Sequence, residues 1–548
     1  MLGRLWQRLT PVGKLLVLAF LAAVLYGMYI ITKPYHPIIG NSISRLVNSV
    51  SQGPTSQTPG TQPATNVPGV VPTAPVVTGP TTQLPQVVVG FDAFASYYNV
   101  ILIEQLELDK KYGFDLVLLP FCSTDENCYT EDERSEALRS GSWDAMLTTL
   151  DKLALNPDIG KLTVLVDETD GADKIVVNPT VVATLNDLRG RKIAYMEGSV
   201  GEFFAYYLLN LVRIGPNEVE LFPSEDVIAA TDLYVNGWVD AVSGWEPDVD
   251  AAVDTGGNII IDSGTLRVVV DVLLFSNQAI ETKPETVQAF HNAWFEALKL
   301  QSEEPSRAEQ LVISWGLNDW SYVAAEGDLV GWLETIAQAG LGANALAMGN
   351  PSLLTDRLKE AQVVWQWAGK SVPGADLSTL VDPSFVLAAA ENPSLFASQA
   401  PINDSFLMAG RPDVPQLTED QLGGATILAV LPLRKVEFEP DSVRLTEQAQ
   451  SDLREQVMPV LRSSTELYLR IDGSAAWPGP SGRYSEDQIR EFAYRRALAV
   501  AQFLAGQGID PDRLVFGTTP SKYPNSVREE ELEQDRFVQF TLIEPLGR

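Results

Sequence analysis

The apolar positions of this chain change their period several times, and each change marks a different kind of segment. Residues 15–32, LLVLAFLAAVLYGMYIIT, run apolar without a charge, bracketed by Lys14 and Lys33. As a helix they span about 27 Å, close to the ~30 Å hydrocarbon core of a bilayer. The run ends in Tyr29, Ile30 and Ile31, not in the small residues of a signal-peptide cleavage site, so the pattern predicts an uncleaved transmembrane anchor. Arg4, Arg8 and Lys14 then keep residues 1–14 cytoplasmic and place the bulk of the chain outside the inner membrane, as a single-pass, extracytoplasmic (periplasmic) protein.

No charged residue occurs from Leu46 to Phe91, and residues 51–86 hold eight prolines and eight threonines. Proline withholds backbone donors and little there is bulky enough to bury, so 33–85 is predicted as a semi-extended linker. In polyproline II form its 36 proline-rich residues reach about 110 Å at most.

From residue 86 to about 400 strand-like and helix-like periods alternate. QVVVGF (86–91), FDLVLLP (114–120), KIAYME (192–197), NIIID (258–262) and LRVVVDVLLF (266–275) read as strands. Residues 97–112, stopped by Gly113, and 203–215 read as helices, and more helices follow from Pro284. Such alternation predicts an α/β fold with largely parallel sheets. Residues 401–424, rich in Pro, Asp and Gly, form a second linker. Residues 425–548 read as a compact α+β unit. KVEFE (435–439), ELYLRID (466–472) and RFVQFTLIE (536–544) are its strands. Leu453, Val457, Val460 and Leu461 mark one helix, and Ile489 to Leu504, stopped by Gly506 and Gly508, another.

Composition narrows the function. The formal charge of −32 repels phosphate backbones, which argues against a nucleic-acid partner. His36 and His291 are too few for most histidine-based catalytic or zinc centres. Cys122 and Cys128 sit in the polar stretch FCSTDENCYT, where a local disulfide and two free thiols are the open alternatives.

One phrase occurs twice. Leu138-Arg-Ser-Gly141-Ser-Trp-Asp144-Ala145 matches Tyr234-Val-Asn-Gly237-Trp-Val-Asp240-Ala241. Each reads as a helix ending near glycine and a short strand running into polar residues: Thr148 and Thr149 in the first copy, Ser243, Trp245 and Glu246 in the second. Two similar lobes offering strand ends to a shared cleft would explain the doubling, since ligands of open α/β sheets bind beyond the carboxyl ends of strands. Asp92 and Tyr97 follow the first strand, and Glu197 and Ser199 follow KIAYM. The chain is expected to cross between lobes near 175–180 and to return near 265–275. Structural roles compete with ligand roles here. Ser199 and Glu202 fit a helix capping box, Asp92 could serve as an N-cap, and Trp245 could be core.

LNDLRGRKIAYMEGSVGEFFAYYLLN (185–210), VNGWVDAVSGWEPDVDAAVDTGG (235–257) and ETKPETVQAFHNAWFEAL (281–298) resemble, in order, the solute-binding proteins of nitrate/sulfonate/bicarbonate-type ABC importers. The resemblance covers about 86–370. It implies a two-lobed periplasmic-binding-protein fold of type II that closes on a small solute, with Ser199, Trp245 and Glu246 on ligand-proximal stretches. The wider candidate set is Asp92, Tyr97, Thr148, Thr149, Glu197, Ser199, Trp245 and Glu246. Asp92, Glu197 and Glu246 favour a cationic or amine-bearing solute, whereas the family more often takes anions and small heterocycles. No catalytic residue, cofactor or metal is expected. Relatives of the fold that make a pyrimidine precursor with pyridoxal phosphate use histidine chemistry that this head largely lacks.

VEFEPDSVRLTEQAQSDLREQVMPVL (436–461), LRIDGSA (469–475), FAYRRALAVAQFLAGQGIDPDRLVFG (492–517) and DRFVQF (535–540) resemble the OmpA-like peptidoglycan-binding domain. In that family an Asp and an Arg hold diaminopimelate of the wall peptide. The Arg falls on Arg496, which the spacing of Phe492 and Val500 places on the apolar stripe of its helix while Arg495 points away. Ala476 stands where the Asp is expected, followed by the insertion WPGPSGRYSEDQ (477–488). Asp472 pairing with Arg496, or Glu486 or Asp487 standing in for the Asp, are the alternatives. The expected whole is a membrane-anchored solute-binding protein partnered by an ABC permease and peptidoglycan. The rival is an envelope sensor or scaffold without transport.

Overall fold

A computed structural model describes residues 84–544, apart from 93, 122–128, 320–327, 399–424, 434–435, 439–441 and 465–466. The expected anchor at 15–32, nearly all of the first linker, the second linker and both cysteines lie outside the described residues. Among the described residues no helix is long and apolar enough to cross a membrane.

The head is built on two sheets. Strands β1 (Gln86–Phe91), β2 (Asp115–Pro120), β3 (Ala145–Thr149) and β4 (Lys161–Thr169) begin the first lobe. Strands β5 (Asp173–Val177), β6 (Lys192–Met196), β7 (Glu220–Ser224), β8 (Ala241–Trp245) and β9 (Asn258–Asp262) make the second. Strands β10 (Val270–Phe275) and β11 (Ile336–Gln338) return to the first. The sheet orders are β11-β4-β10-β3-β1-β2 and β7-β6-β8-β5-β9. In each lobe one strand, β10 or β5, runs antiparallel to both neighbours, while the three beyond it are parallel. The lobes therefore correspond strand for strand: β1 with β6, β2 with β7, β3 with β8, β10 with β5, β4 with β9. This is the type II periplasmic-binding-protein arrangement.

The doubled phrase has a physical cause. In each copy glycine takes a positive φ (Gly141 73°, Gly237 72°), which turns the chain from helix to strand where a Cβ would be strained. The following Asp then clamps the neighbouring strand. Asp144 N–H donates to the Val88 carbonyl (2.9 Å) and its carboxylate accepts from Val88 N–H (2.8 Å). Asp240 does the same with Lys192, at 2.9 and 3.0 Å. Each Asp carbonyl also accepts from the residue that ends the antiparallel strand, Ser276 or Asn178, both at 2.9 Å.

Several sequence expectations shift. The crossing expected near 175–180 lies earlier, between β4 and β5 at residues 170–172, because Asp173–Val177 is an inner strand of the second sheet. The return runs through 263–269, so the strand expected from Leu266 begins at Val270. The helix expected over 97–112 is a 3₁₀ turn (Ala95–Tyr98) and two helices (Asn99–Gln105 and Leu108–Tyr112), broken where Glu107 adopts φ 53° and Leu108 turns into the core. Gly113 ends it as expected.

After β10, helices wrap the first lobe, and the helix Ser352–Trp367 packs on both lobes, against Leu150–Leu155 and Val200–Leu211. Its Trp365 is fully buried beside Phe203 and Tyr206, and its indole N–H donates to the Asp151 carbonyl at 3.0 Å.

The C-terminal unit carries β12 (Thr426–Leu431), β13 (Tyr468–Gly473), β14 (Leu514–Thr518) and β15 (Val538–Glu544) in the order β12-β15-β13-β14. The alternating stretch KVEFE supplies no strand among its described residues. Phe438 makes only an isolated bridge to Leu445, and the sheet edge is taken by Thr426–Leu431, whose Leu428 and Leu431 are buried. The helix Glu486–Gly506 lies so close on β13 that a Cβ at Gly473 would strike the Ala493 carbonyl.

This unit docks on the head. Asn186 brackets Val430 with two hydrogen bonds (3.0 and 2.8 Å), and Ser463 accepts on its carbonyl from the Arg267 N–H (2.7 Å). The Ser463 hydroxyl lies 3.3 Å from Tyr207 Oη and 3.3 Å from Arg357 Nη1.

The two Asp clamps differ in burial, and that sets an expectation. Asp144 is buried and also binds Lys283 at 2.7 Å, whereas Asp240 is half-exposed. Asp144→Ala should cost about 1–3 kcal/mol, and Asp240→Ala about 1 kcal/mol or less. Urea unfolding of the two variants checks the order; equal losses would remove the burial argument.

Candidate functional site

The strand ends of both lobes meet at the two crossings. At the rim, Phe94, Tyr98, Glu246, Pro247, Trp332 and Thr335 surround a cavity of about 20 Å³. Glu246 is ion-paired to Lys174 and lies 3.4 Å from the Thr335 hydroxyl, which belongs to the first lobe's helical extension. Across the cleft, an added Cβ at Gly198 of the second lobe would stand 3.4 Å from Glu131 of the first, so the lobes are in contact. A larger cavity of about 140 Å³ lies away from the cleft, between Tyr207, Leu211 and Val363 of the head and Leu433, Pro459 and Val460 of the tail.

Deeper, register brings acids together. Across the first sheet, Gln338 pairs with Asp167, Asp167 with Asp271, and Asp271 with Thr149. In the second lobe Asp173 pairs with Trp245. Asp173 is the first residue of β5 and Asp271 the second of β10, and each pairs with the last residue of the strand beside it, Trp245 or Thr149, so they occupy equivalent places in the two lobes. Their exposures are 0% for Asp167, 2% for Asp173 and 3% for Asp271. Other acids near the hinge have cations: Asp151 has Lys152 at 3.6 Å, Glu168 has Arg357 at 3.5 Å, and Asp170 has Arg267 at 2.6 Å. Among the described residues no ion pair reaches Asp167, Asp173 or Asp271. Asp271 accepts from the buried Tyr97 hydroxyl. The Ser96 hydroxyl and Asp271 are side-chain hydrogen-bond partners of Asp167, and the Thr169 hydroxyl is that of Asp173.

Burial without a counter-ion disfavours the charged form. Asp167 is pushed up to about 7, first by burial, with the charges of Asp173 and Glu168 adding to it and Ser96 and Asp271 offsetting part. Asp173 is likewise pushed up to about 7 by burial, Thr169 offsetting and Asp271, Asp151 and Glu246 adding. Asp271 is also raised, through burial and then the charge of Asp167, with Tyr97 offsetting.

The residues expected from sequence fall in several places. Tyr97 and Thr149 lie in the buried row, and Thr148 is the next residue along β3, half-buried. Trp245 is half-buried opposite Asp173, and Glu246 lines the rim. Asp92 is half-exposed, 3.6 Å from Arg134. Glu197 is exposed at the end of β6. Ser199 caps the helix Val200–Leu211, its hydroxyl accepting from Gly201 N–H at 3.1 Å. Glu202 accepts from Gly198 N–H at 2.8 Å and pairs with Lys370 at 2.7 Å. His291 is fully buried, stacked on Phe385 with Nδ1 2.7 Å from the Val287 carbonyl, and burial lowers it to about 4. In the tail, Arg496 packs its guanidinium 4.7 Å from the rings of both Phe438 and Phe492. Arg495 faces outward and pairs with Glu491 at 2.7 Å. The Asp472 carboxylate is bonded to Arg470 at 2.8 Å, in place of the internal Arg496 partnership considered from sequence. Asp487 binds Arg490 on its own helix.

Sequence reasoning missed Asp167, Asp173 and Asp271. The signal was present: Asp271 interrupts the apolar run from Val268 to Phe275, and DETDGAD (167–173) separates two apolar strands. A charge inside an apolar strand needs a reason.

The fold is two-lobed, with a small pocket at the hinge side. The NMT1/THI5 like family profile matches residues 174–308. An ABC transporter periplasmic binding protein of Brachyspira hyodysenteriae is 24% identical over 243 residues, 41% of this chain and 68% of that one. Among solved structures, the alkanesulfonate-binding protein SsuA of Xanthomonas axonopodis pv. citri bound to MOPS aligns at 15% identity and TM-score 0.41, over 55% of this chain and all of that one. The nitrate-binding protein NrtA of Synechocystis PCC 6803 aligns at 14% identity and TM-score 0.43, over 58% and 92% of the two chains.

The raised carboxyls give a pH signature. In the unfolded chain they titrate near 3.9. Between about pH 4 and pH 7 the folded protein therefore holds more protons than the unfolded one, and stability falls as pH rises through that window. Calorimetry of the protein dialysed free of small molecules should give a lower Tm at pH 8 than at pH 5. Asp167→Asn should narrow the gap; an unchanged gap would remove Asp167 as its source.

Proposed function

We propose that this chain is a membrane-anchored, extracytoplasmic solute-binding protein whose lobes close on a small metabolite for ABC-type uptake. The carrying observation is the strand-for-strand correspondence of the lobes, which aims both sets of strand ends at one cleft beside two crossings. The relative named above as an ABC transporter periplasmic binding protein supports the transport assignment. Residues 15–32 anchor the protein, 33–85 extend it, 86–400 bind solute, 401–424 link, and the OmpA-like tail 425–548 contacts peptidoglycan through Arg496. The mixed sheet with helices on it and the inward placement of Arg496 support the tail's assignment. The head acts by binding and supplies no catalytic group.

The test is native mass spectrometry of the detergent-solubilised chain, with co-purification of a permease. A bound small molecule whose occupancy drops at least about tenfold in Trp245→Ala supports the reading; no bound molecule and no permease would end it. The tail is tested by pelleting the protein with purified peptidoglycan, where Arg496→Ala should release it into the supernatant.

One observation favours a second reading, an envelope sensor. Ser463 of the tail is hydrogen-bonded to Arg267 on the return crossing, so lobe motion reaches the tail directly. Hydrogen exchange at 458–463 that responds to solute, with no permease recovered, selects this reading over transport.

A further inference from the structure

We infer that the tail is a hinge lock: seated on the head through Ser463 and Asn186, it holds the two lobes closed, and the cleft opens only when the tail lifts away. This rests on the solute-binding reading and assigns the regulation of that site.

The lock turns on one residue. Ser463 is the last residue of the tail helix Met458–Ser463 and is fully buried. A helix leaves its final carbonyls without partners of their own. The Ser463 carbonyl accepts from outside the tail, from the Arg267 N–H on the return crossing, at 2.7 Å. Its hydroxyl donates to the Pro459 carbonyl at 2.8 Å and accepts from Tyr207 Oη and Arg357 Nη1, both at 3.3 Å, which uses its whole hydrogen-bonding capacity. Tyr207 stands on the second lobe's helix Val200–Leu211. Arg357 stands on the spanning helix and pairs with Glu168 of β4, in the first lobe, at 3.5 Å. The Arg267 guanidinium pairs with Asp170 on the first crossing at 2.6 Å. Through Ser463 the tail is thus bonded to the second lobe, to a cation held by the first lobe, and to the return crossing, which is itself tied to the other crossing.

The tail side of this contact is rigid. Buried Arg513 donates to the carbonyls of Leu461 (2.7 Å) and Leu467 (2.7 and 2.9 Å), one on each side of Ser463. A second contact fixes the tail's orientation. β12 is an edge strand, so its outer side carries backbone groups the sheet leaves unpaired, and Asn186 of the second lobe meets both the N–H and the carbonyl of Val430. Hinge bending changes dihedrals in the crossings and carries one lobe past the other. Here it would turn Asn186 and Tyr207 relative to Arg357 and shift the Arg267 N–H as well, and a rigid tail cannot follow all four. It keeps every bond in one arrangement of the lobes, and that arrangement has them in contact at Gly198 and Glu131. The seam around these bonds is not filled: the cavity of about 140 Å³ lies where the second lobe, the spanning helix and the tail meet. The polar bonds therefore weigh more in seating the tail than they would in a close-packed interface. Coupling of this kind is reciprocal: whatever draws the tail off the head opens the cleft, and an open cleft loosens the tail.

The test is electron–electron distance spectroscopy on the dialysed full-length protein in detergent, in a Cys122→Ser, Cys128→Ser background. Spin labels at Glu136→Cys and Asp232→Cys report the separation of the lobes, and labels at Asp232→Cys and Glu447→Cys report the seating of the tail; all three positions are exposed. Ser463→Arg sets a bulky cation against Arg267 and Arg357 and unseats the tail, while a cation at a helix C-terminus is compatible with the tail's own fold. The wild type should show one narrow distance for each pair, with longer interlobe distances below about 10%. Ser463→Arg should raise the longer interlobe population to about half or more as the head–tail distance broadens. Asn186→Ala combined with Ser463→Ala, which removes side-chain bonds without adding bulk, should move both distances the same way to a smaller extent and decides the matter if Ser463→Arg does not fold. A head–tail distance that broadens while the interlobe distance stays narrow, open lobes in the wild type with the tail seated, or no change of either distance in the variants would overturn the inference. Each of those results leaves the solute-binding reading standing if native mass spectrometry recovers a bound small molecule; that reading fails on no bound molecule and no permease, however the lobes move.

Discussion

Negative charge that has been taken out of water must be met by something. At the junction of the two lobes the chain meets four of its acids with its own Lys and Arg and leaves three, Asp167, Asp173 and Asp271, to protons and neighbouring hydroxyls. Packing around them is tight, with Val166, Val270, Val272 and Ala172 all buried, so these acids cannot relax toward solvent without parting the lobes. Burial of these acids and their uptake of protons are thus two expressions of one electrostatic constraint.

The same constraint explains why the lobes are built alike. Each antiparallel strand must begin at its crossing, because it carries the chain back from the other lobe, and its first residues necessarily face the cleft. Asp271 and Asp173 hold that position in the two lobes. The Gly-x-x-Asp-Ala phrase fixes the neighbouring strand in each, tying the strand that leads into the cleft to the strand beside it and to the end of the antiparallel one. The helix Ser352–Trp367 then spans the pair, with Trp365 seated among Phe203 and Tyr206 of the second lobe and bonded to Asp151 of the first.

The tail is fastened to the second lobe, the return crossing and the spanning helix. Ser463 touches the return crossing at Arg267, the second lobe at Tyr207 and the spanning helix at Arg357, and Asn186 binds the tail's edge strand. Within the tail the Arg496 guanidinium packs against the rings of Phe438 and Phe492.

The sequence by itself determined the alternation of strands and helices, the doubled lobe, the inward face of Arg496 and the helix cap at Ser199, because these follow from local period and short-range hydrogen bonding. It also carried the acids of the hinge, visible as Asp271 within an apolar run and as DETDGAD between two strands. Only the tertiary structure decided that Asp167, Asp271 and Asp173, up to 104 positions apart in the numbering, share one buried place. That outcome depends on strand order and register, and so does the crossing at 170–172 that sequence placed a few residues late. The edge strand of the tail was misplaced for a related reason: KVEFE alternates and the apolar run Thr426–Leu431 does not, yet pairing with β15 falls to Thr426–Leu431. Period reports which face of a strand is buried; it carries no information about which strands become neighbours, and the site is made of neighbours.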